Sequence, residues 1–379
     1  MIVTDILILG GGMAGASVAA HLSQGASVTL LEVEDQPGRH ATGRSAASFF
    51  ESYGNEQIRA LTRASRRDLI APDRDFVDVE LLKPRLTLFV ADYERLHGLD
   101  SLMDRPDTSD LRRVDASEAL ALVPILSPEW VAGGVTDSSG FDMDVAALHQ
   151  GYLRLAKRRG VAIMTGAQMT HIEGGHDGWT VYTRAGEFRA PLVVNATGAW
   201  ADEVAERAGI PRLGLKPLRR TAMMIPAPDI RNLDAWPLVM GPEESFYFKP
   251  DAGQILLSPA NEDEETPGDT APDDLDVAIA VDRFETVTIL KVSRISHRWS
   301  GLRTFASDRT PVVGFDEHAR GFFWLAGQGG YGIQTAPAMG RLAAALIENR
   351  CVPDRILDHG VSIRDLSPSR PELATKAPI

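Results

Sequence analysis

The chain's apolar pattern opens with an unbroken run, Ile6-Leu7-Ile8-Leu9, as expected of a strand buried on both faces. Gly10-Gly11-Gly12 interrupts it, and the alanine-rich stretch 14–22 reads as a helix. A second apolar run, 27–31, ends at Glu32. Strand, glycine turn, helix and strand in this order predict the start of a βαβ unit. Helical spacing returns at 55–69 and at 144–159. In the second of these Val145, Leu148, Tyr152, Leu155 and Ala156 share a face. Its basic end, Lys157-Arg158-Arg159, complements the helix dipole. Short strands are predicted at 162–164, 179–183 and 192–195, the last leading into a helix that ends at Arg207. Residues 221–225, 246–249 and 255–257 read as strands, and 79–90 favours strands as well. The acidic, proline-containing stretch 261–274 reads as an exposed loop. A late apolar strand at 322–326 precedes Gly327-Gln328-Gly329-Gly330-Tyr331-Gly332 and a helix over 335–347 that Pro337 and Gly340 should interrupt.

Both ends and the middle of the chain thus read as α/β, and the stretches between them as sheet. A length of 379 residues suits two domains. We expect a Rossmann-like dinucleotide-binding domain assembled from 1–78, 136–212 and 296–379. A β-rich, substrate-binding cap is expected from 79–135 and 213–295. The net charge of −13 disfavours a nucleic-acid partner, because phosphate binding needs a basic surface. A single cysteine, Cys351, excludes an internal disulfide and a cysteine-built zinc or iron–sulfur site, and no metal is expected. No apolar run reaches the ~18 residues of a membrane span. With no removable signal ahead of the first strand, the expected location is cytoplasmic, with contact at the inner-membrane surface left open.

The spacing Gly10-x-Gly12-x-x-Gly15, between a buried strand and a helix, is that of a dinucleotide fingerprint. Gly10 permits the tight turn, Gly12 lets a pyrophosphate approach the backbone, and Gly15 lets helix and strand pack closely. Glu32, at the end of the next strand, suits the ribose hydroxyls and would repel a 2′-phosphate, which disfavours NADP. These residues leave NAD and FAD open. The small, hydroxyl-rich segment 38–47 can lie along an extended cofactor. The glycines at 327–332 permit close approach to a flavin ring in front of a helix N-terminus.

Four segments together resemble the flavoprotein amine and D-amino-acid oxidase family, which includes glycine and sarcosine oxidases. They are 10–32, Gly43-Arg44-Ser45-Ala46-Ala47, Asn195-Ala196-Thr197-Gly198-Ala199-Trp200 and Gly329-Gly330-Tyr331-Gly332-Ile333-Gln334. Ala64-Ser65-Arg66, 148–154, Glu244-Ser245-Phe246-Tyr247 and Ser258-Pro259-Ala260-Asn261 extend the likeness toward the bacterial D-arginine dehydrogenases of that family. The resemblance implies a glutathione-reductase-like FAD domain. It implies FAD held by Gly10, Gly12, Ala14, Gly15, Glu32 and Val33. Thr42, Gly43, Arg44, Ser45, Ala46, Ala47 and Ser48 would follow, with Met169, Gly198 and Arg303. Gly329, Gly330, Tyr331, Gly332, Ile333 and Gln334 would complete the set. The cofactor should be non-covalent, since 303–313 lacks the cysteine to which sarcosine-oxidase relatives tether it.

For the substrate the resemblance implies a carboxylate held by Arg220 and Arg303, whose planar forks suit bidentate binding. Taken alone, Arg220 reads equally as a surface strand residue and Tyr247 as core. Tyr53 and Tyr247 would donate hydroxyls and wall the pocket. The Gly330 carbonyl would accept from the substrate amine, and Ser48, Thr87 and Gln334 would border the site. Three positions depart from the D-arginine enzymes, which carry glutamate at the place of Thr87, histidine at Ser48 and threonine at Phe50. Without a counter-charge at residue 87, neutral or apolar side chains are expected, unless Glu244 supplies that charge. His149 and His297 read as structural. The implied reaction is oxidation of a D-α-amino acid to an imino acid, which hydrolyses to a 2-oxo acid and ammonium. A quinone or dye-like acceptor is expected ahead of dioxygen. The alternatives are an N-methyl or cyclic amino acid or a 2-hydroxy acid as substrate, or a flavin-binding protein without turnover.

Overall fold

A computed structural model describes residues 1–22, 25–104, 110–227 and 232–373. Its centre is a six-stranded sheet in the order Ala162–Met164, Val28–Leu31, Ile6–Leu9, Leu192–Asn195, Phe322–Ala326, Val312–Phe315. The first five strands run parallel, and Val312–Phe315 pairs antiparallel at the edge. The run Ile6-Leu7-Ile8-Leu9 is central and buried on both faces, which is why it carries no polar alternation. Helices Met13–His21, Val145–Arg158 and Ala336–Ile347 cover one face, where Ile8, Leu30, Leu148 and Leu342 meet in one core. The other face packs Leu7, Leu9, Trp324 and Val193 against Ala201–Arg207 and a four-stranded sheet that includes Met169–Gly175 and Gly178–Thr183.

A nine-stranded sheet forms the second body. Its long strand Lys216–Pro226 pairs with Gln254–Ser258 on one side and with His297–Phe305 on the other. His297–Phe305 falls in the segment assigned from sequence to the dinucleotide domain, yet it is bonded along the second sheet from Lys216 to Met224. The strand then turns back at residue 306 toward Val312–Phe315 and so joins the two bodies. Its sequence, HRWSGLRTF, has polar alternation suited to a sheet with one solvated face.

Three local expectations are corrected. Helix Ala336–Ile347 is continuous: Pro337 sits in its first turn, where the missing N–H is an orphan in any case. Gly340 is a contact point there, since a Cβ on it would lie 2.9 Å from the Ser17 backbone. The stretch 213–295 is not all sheet. It contains the helix Asp274–Val287, capped by Asp273, which burdens the sheet with Val277, Ala280, Phe284 and Val287. The acidic stretch 261–274 is not simply an exposed loop. Asp263–Glu264 pairs with Leu218 and Arg219, and Gly268, Asp269 and Thr270 fold over a cavity between the two sheets.

Candidate active site

That cavity, about 530 Å³, reaches from the C-terminal ends of the parallel strands to the face of the second sheet. At the first of these places Gly10, Gly12, Met13, Ala14, Glu32 and Val33 line it. Gly10 has φ 101°, and a Cβ on it would stand 2.5 Å from the Ala196 carbonyl oxygen. A Cβ on Gly15 would stand 1.9 Å from the Gly10 carbonyl oxygen, so Gly15 lies behind the turn rather than in the cavity wall. Gly12 is different: nothing but Thr42 Oγ1, at 3.4 Å, would meet a Cβ there. Its missing side chain leaves space on the cavity side. The N-cap residue of the helix that starts at Met13 is Gly12, which has no side chain to cap it, and no acidic residue occupies the first turn. Its N-terminal dipole is therefore directed at the cavity.

Glu32 is buried and fixes this turn, accepting from the Gly11 amide at 2.8 Å and the Glu34 amide at 3.0 Å. Each carboxylate oxygen keeps a second lone pair for a ligand hydroxyl. His149 donates from Nε2 to the Gly11 carbonyl at 2.8 Å and braces the turn from below. Burial pushes its pKa down, against the effect of that bond. His297 is exposed at the start of its strand and stacks on Trp299.

Of the segment 42–48, Thr42, Arg44, Ser45 and Ala46 line the cavity, while Gly43, Ala47 and Ser48 do not. Thr42 Oγ1 accepts from the Met13 amide at 3.0 Å. Arg44 straps the segment to the second body: it donates to the Thr270 and Ser300 carbonyls, each at 3.1 Å, and pairs with Asp269. Ser48 lies on a short strand opposite Asp142. Met169 and Gly198 line the cavity, as do Gly329, Gly330, Gly332 and Ile333. Tyr331 and Gln334 are buried behind them. The Gln334 amide nitrogen donates to Thr62 Oγ1 at 2.8 Å, and its oxygen accepts from the Phe50 amide.

The second sheet supplies the remaining wall through strand pairing. Arg220 lies opposite Gly301, and Leu218 opposite Arg303, so the two arginines are diagonal neighbours on one face. Ala222 and Tyr247 line the cavity with them. The two guanidiniums are not equivalent. Arg220 donates to the Asn261 carbonyl at 2.9 Å and pairs with Glu262 at 3.1 Å. Glu262 is also gripped by both terminal nitrogens of Arg309. Burial opposes its charge, but Arg309 and then Arg220 outweigh this and lower its pKa. No carboxylate of the described residues lies within ion-pair distance of Arg303, whose side-chain bond runs to Tyr53 Oη at 3.4 Å. Burial works against the Arg303 charge, yet Tyr53, Tyr247 and Glu244 together hold its pKa above the usual arginine range.

Tyr53 lies behind Arg303 and donates to Glu244 at 2.8 Å. Burial, then Glu244, drives its pKa far above the ordinary tyrosine value, so it stays a neutral donor. Phe50 stacks on it with centroids 4.7 Å apart, and Tyr331 meets it edge-on. Thr87 is buried and does not line the cavity. It belongs to the strand that also carries Phe89, beside an apolar cluster of Phe50, Phe89, Leu238, Met240 and Tyr247.

Several wall residues escaped sequence reasoning. Asp269, Thr270 and Trp200 come from stretches read as loop or motif spacer. Gln328 is a lining residue whose Nε2, itself out of solvent, has no acceptor among the described residues. Such an orphaned donor costs about 1–3 kcal/mol unless a ligand satisfies it. The cavity's size, the turn open at Gly12 and the helix N-terminus behind it all fit an extended dinucleotide.

A family model described as FAD dependent oxidoreductase matches residues 5–346. The chain belongs to that family. FAD is therefore its cofactor, and the cavity fits it. Among sequence relatives, the uncharacterized oxidoreductase YurR of Bacillus subtilis is 26% identical over 363 residues, covering 90% of this chain and 94% of its own. Glycine oxidase of Geobacillus kaustophilus is 25% identical over 361 residues, covering 91% and 93%. The solved structure of that glycine oxidase superposes with TM-score 0.81 at 21% identity, over 98% of this chain and 99% of its own. L-proline dehydrogenase from P. horikoshii gives 0.81 at 20% identity, over 97% and 98%. Iminodiacetate oxidase from Chelativorans sp. BNC1 gives 0.78 at 21% identity, over 96% and 98%. This FAD-dependent oxidoreductase thus shares its two-body fold with enzymes of amino-acid type. Its one cysteine, Cys351, is exposed and not in the cavity wall. Among the described residues no helix is long and apolar enough to cross a membrane.

Proposed function

We propose that this flavoprotein oxidises a D-α-amino acid with a neutral or apolar side chain, acting as a dehydrogenase that passes electrons to a quinone or dye-like acceptor. One observation carries the substrate class: the half-buried guanidinium of Arg303 lines the cavity, and no carboxylate of the described residues lies within ion-pair distance of it. A partly desolvated cation held in this way is a receptor for an anion of ligand size. The substrates in the neighbours' names, glycine, L-proline and iminodiacetate, share a carboxylate one carbon from an amine nitrogen.

In this reading Arg303 grips the carboxylate, and Arg220 adds a positive field from a guanidinium already half-satisfied by Glu262. Tyr53 holds Arg303 in register, and Tyr247 closes the wall. The Gly330 backbone packs directly against Arg303, where a Cβ would stand 2.7 Å from Nη1. Its carbonyl then accepts from the substrate amine. FAD, when bound, supplies the acceptor for the α-hydrogen, which leaves as a hydride while the amine gives up a proton. The resulting imino acid takes up water and yields a 2-oxo acid and ammonium. What the protein adds is orientation in a dry site.

Tyr247 and Ala46, where the apolar cluster reaches the cavity wall, support a neutral side chain over a D-arginine preference. The D-configuration rests on the sequence likeness to D-arginine dehydrogenases. A second reading, a secondary amine such as an N-methyl or cyclic amino acid, is favoured by the names of two structural neighbours. One experiment separates the readings. The purified holoenzyme is mixed anaerobically with D- and L-amino acids, sarcosine, proline and 2-hydroxy acids, and the visible flavin band is followed. Bleaching by D-leucine or D-methionine ahead of the rest is expected. Bleaching by sarcosine or proline alone overturns the first reading in favour of the second.

A further inference from the structure

The acidic stretch folds back so that one of its carboxylates reaches Arg220 from behind the cavity wall. Asn261 is pinned first: its Oδ1 accepts from the Thr221 amide at 2.8 Å, and its Nδ2 donates to Asp276 at 3.0 Å. Asp263–Glu264 then pairs with Leu218 and Arg219. Glu262, between these two anchors, meets Arg220 at 3.1 Å and does not itself line the cavity. Its carboxylate is aimed by Arg309, whose Nη1 donates to Oε2 at 3.0 Å and Nη2 to Oε1 at 2.9 Å. The Arg309 guanidinium carbon lies 3.9 Å from the centre of the Phe305 ring, and the side chain is 43% exposed. Water screens the Arg309 charge, whereas the Arg220 side chain is only 6% exposed. The negative charge of Glu262 therefore counts most against Arg220.

Arg220 commits Nε to the Asn261 carbonyl and Nη2 to Glu262. Its Nη1 has no partner among the described residues and is not sealed from solvent. In a buried residue that lines the cavity, that nitrogen opens into the cavity. Arg220 and Arg303 hold diagonal positions on paired strands, about 7–8 Å apart on the sheet face. With both guanidiniums uncompensated, such a pair would hold two carboxylates of one small molecule. With one neutralised, a second carboxylate loses its hydration and meets no free cation. We propose that Glu262 is a specificity-determining residue: by neutralising Arg220 from outside the cavity it fits the site to one carboxylate and rejects a second, so that D-amino acids with acidic side chains are poor substrates. This rests on the reading that Arg303 grips the substrate carboxylate. Because Nη1 remains a donor, the rejection acts on charge and not on polarity, and an amide in place of the second carboxylate is accepted.

The test compares succinate with succinamate, its monoamide, which has nearly the same shape and one charge fewer. Neither carries an amine to oxidise. Binding to the oxidised holoenzyme is followed through the flavin band or as displacement of benzoate, at a pH where both succinate carboxylates are ionised. Wild type should bind succinamate more tightly than succinate. Glu262→Gln keeps the side-chain shape, removes the charge, and should shift the ratio toward succinate about tenfold. Adding Arg220→Met to that variant should abolish the shift. An unchanged ratio in Glu262→Gln overturns the inference. A shift that persists in the double variant also overturns it, since the effect would then not act through Arg220. If Glu262→Gln does not fold, Arg309→Met takes its place: it leaves Glu262 to Arg220 alone and should shift the ratio further toward succinamate, and an unchanged ratio again overturns the inference. Failure of the underlying reading looks different. A wild type that binds neither succinamate nor benzoate removes the role of Arg303 and the inference with it, whereas succinamate binding with unshifted ratios removes the inference alone.

Discussion

At the residue scale the two arginines carry the account, and their environments rank them. Arg303 lacks an ion-pair partner among the described residues, whereas Arg220 already shares Glu262 with Arg309. Losing a charge-assisted bond costs about 1.5–3 kcal/mol, so Arg303→Met should lower kcat/KM for an amino-acid substrate roughly ten- to a hundred-fold. Arg220→Met should cost less in steady-state kinetics. Equal losses would mean that Glu262 does not neutralise Arg220. Thr87 is buried outside the cavity wall, so Thr87→Glu should leave the use of D-arginine relative to D-leucine unchanged. A ratio shifted toward D-arginine would place residue 87 against the substrate side chain. The arginines were legible only through family likeness, since each alone is an ordinary strand residue. Their inequality was not legible, because Glu262 reaches Arg220 through a fold-back of the acidic stretch that local patterning reads as solvated. Gln328 was also hidden, because an unsatisfied atom exists only once the chain is folded.

At the scale of elements, the glycine turn and the parallel strands were readable because their constraints are local: continuous apolar runs, tight spacing and no tolerance for a Cβ. The helix Asp274–Val287 was hidden because its buried Val277, Ala280 and Phe284 are diluted by acidic residues and framed by strands on both sides. One turn was not singled out at all. Asp137 is fully buried and accepts from Ser52 Oγ, from the Ser139 amide at 2.8 Å and from Ser139 Oγ. It ties the segment that carries Tyr53 to the end of strand Gly133–Asp137. Asp137→Ala strands these donors and should destabilise the protein by about 2–3 kcal/mol, read as a lower urea midpoint. It should also raise KM through a loosened Tyr53. A midpoint and KM both at the wild-type value would show that the tie is dispensable.

At the scale of the molecule, the two bodies meet along the cavity, and the stability of the body built on the parallel sheet couples to pH. His21 is held well below its usual pKa by burial first and then by Arg341, Arg159 and Arg355. His149 is lowered by burial. Both titrate near 6.5 when the chain is unfolded. The folded state then binds fewer protons, so stability is fully present above pH 6.5 and is lost as pH falls through the lowered values. Tm should hold between pH 8 and 7 and drop steadily below 6.5, and His21→Gln should flatten that drop. A Tm that rises on acidification would contradict this burial-driven picture.

The central claim is a bare guanidinium beside the flavin that binds one end of the substrate. Titrating oxidised holoenzyme with benzoate, a carboxylate that cannot be oxidised, and recording the flavin difference spectrum tests it most directly. Wild type should give a saturable perturbation that substrate competes away, and Arg303→Met should lose it while retaining FAD. The same benzoate affinity in both proteins would contradict the account.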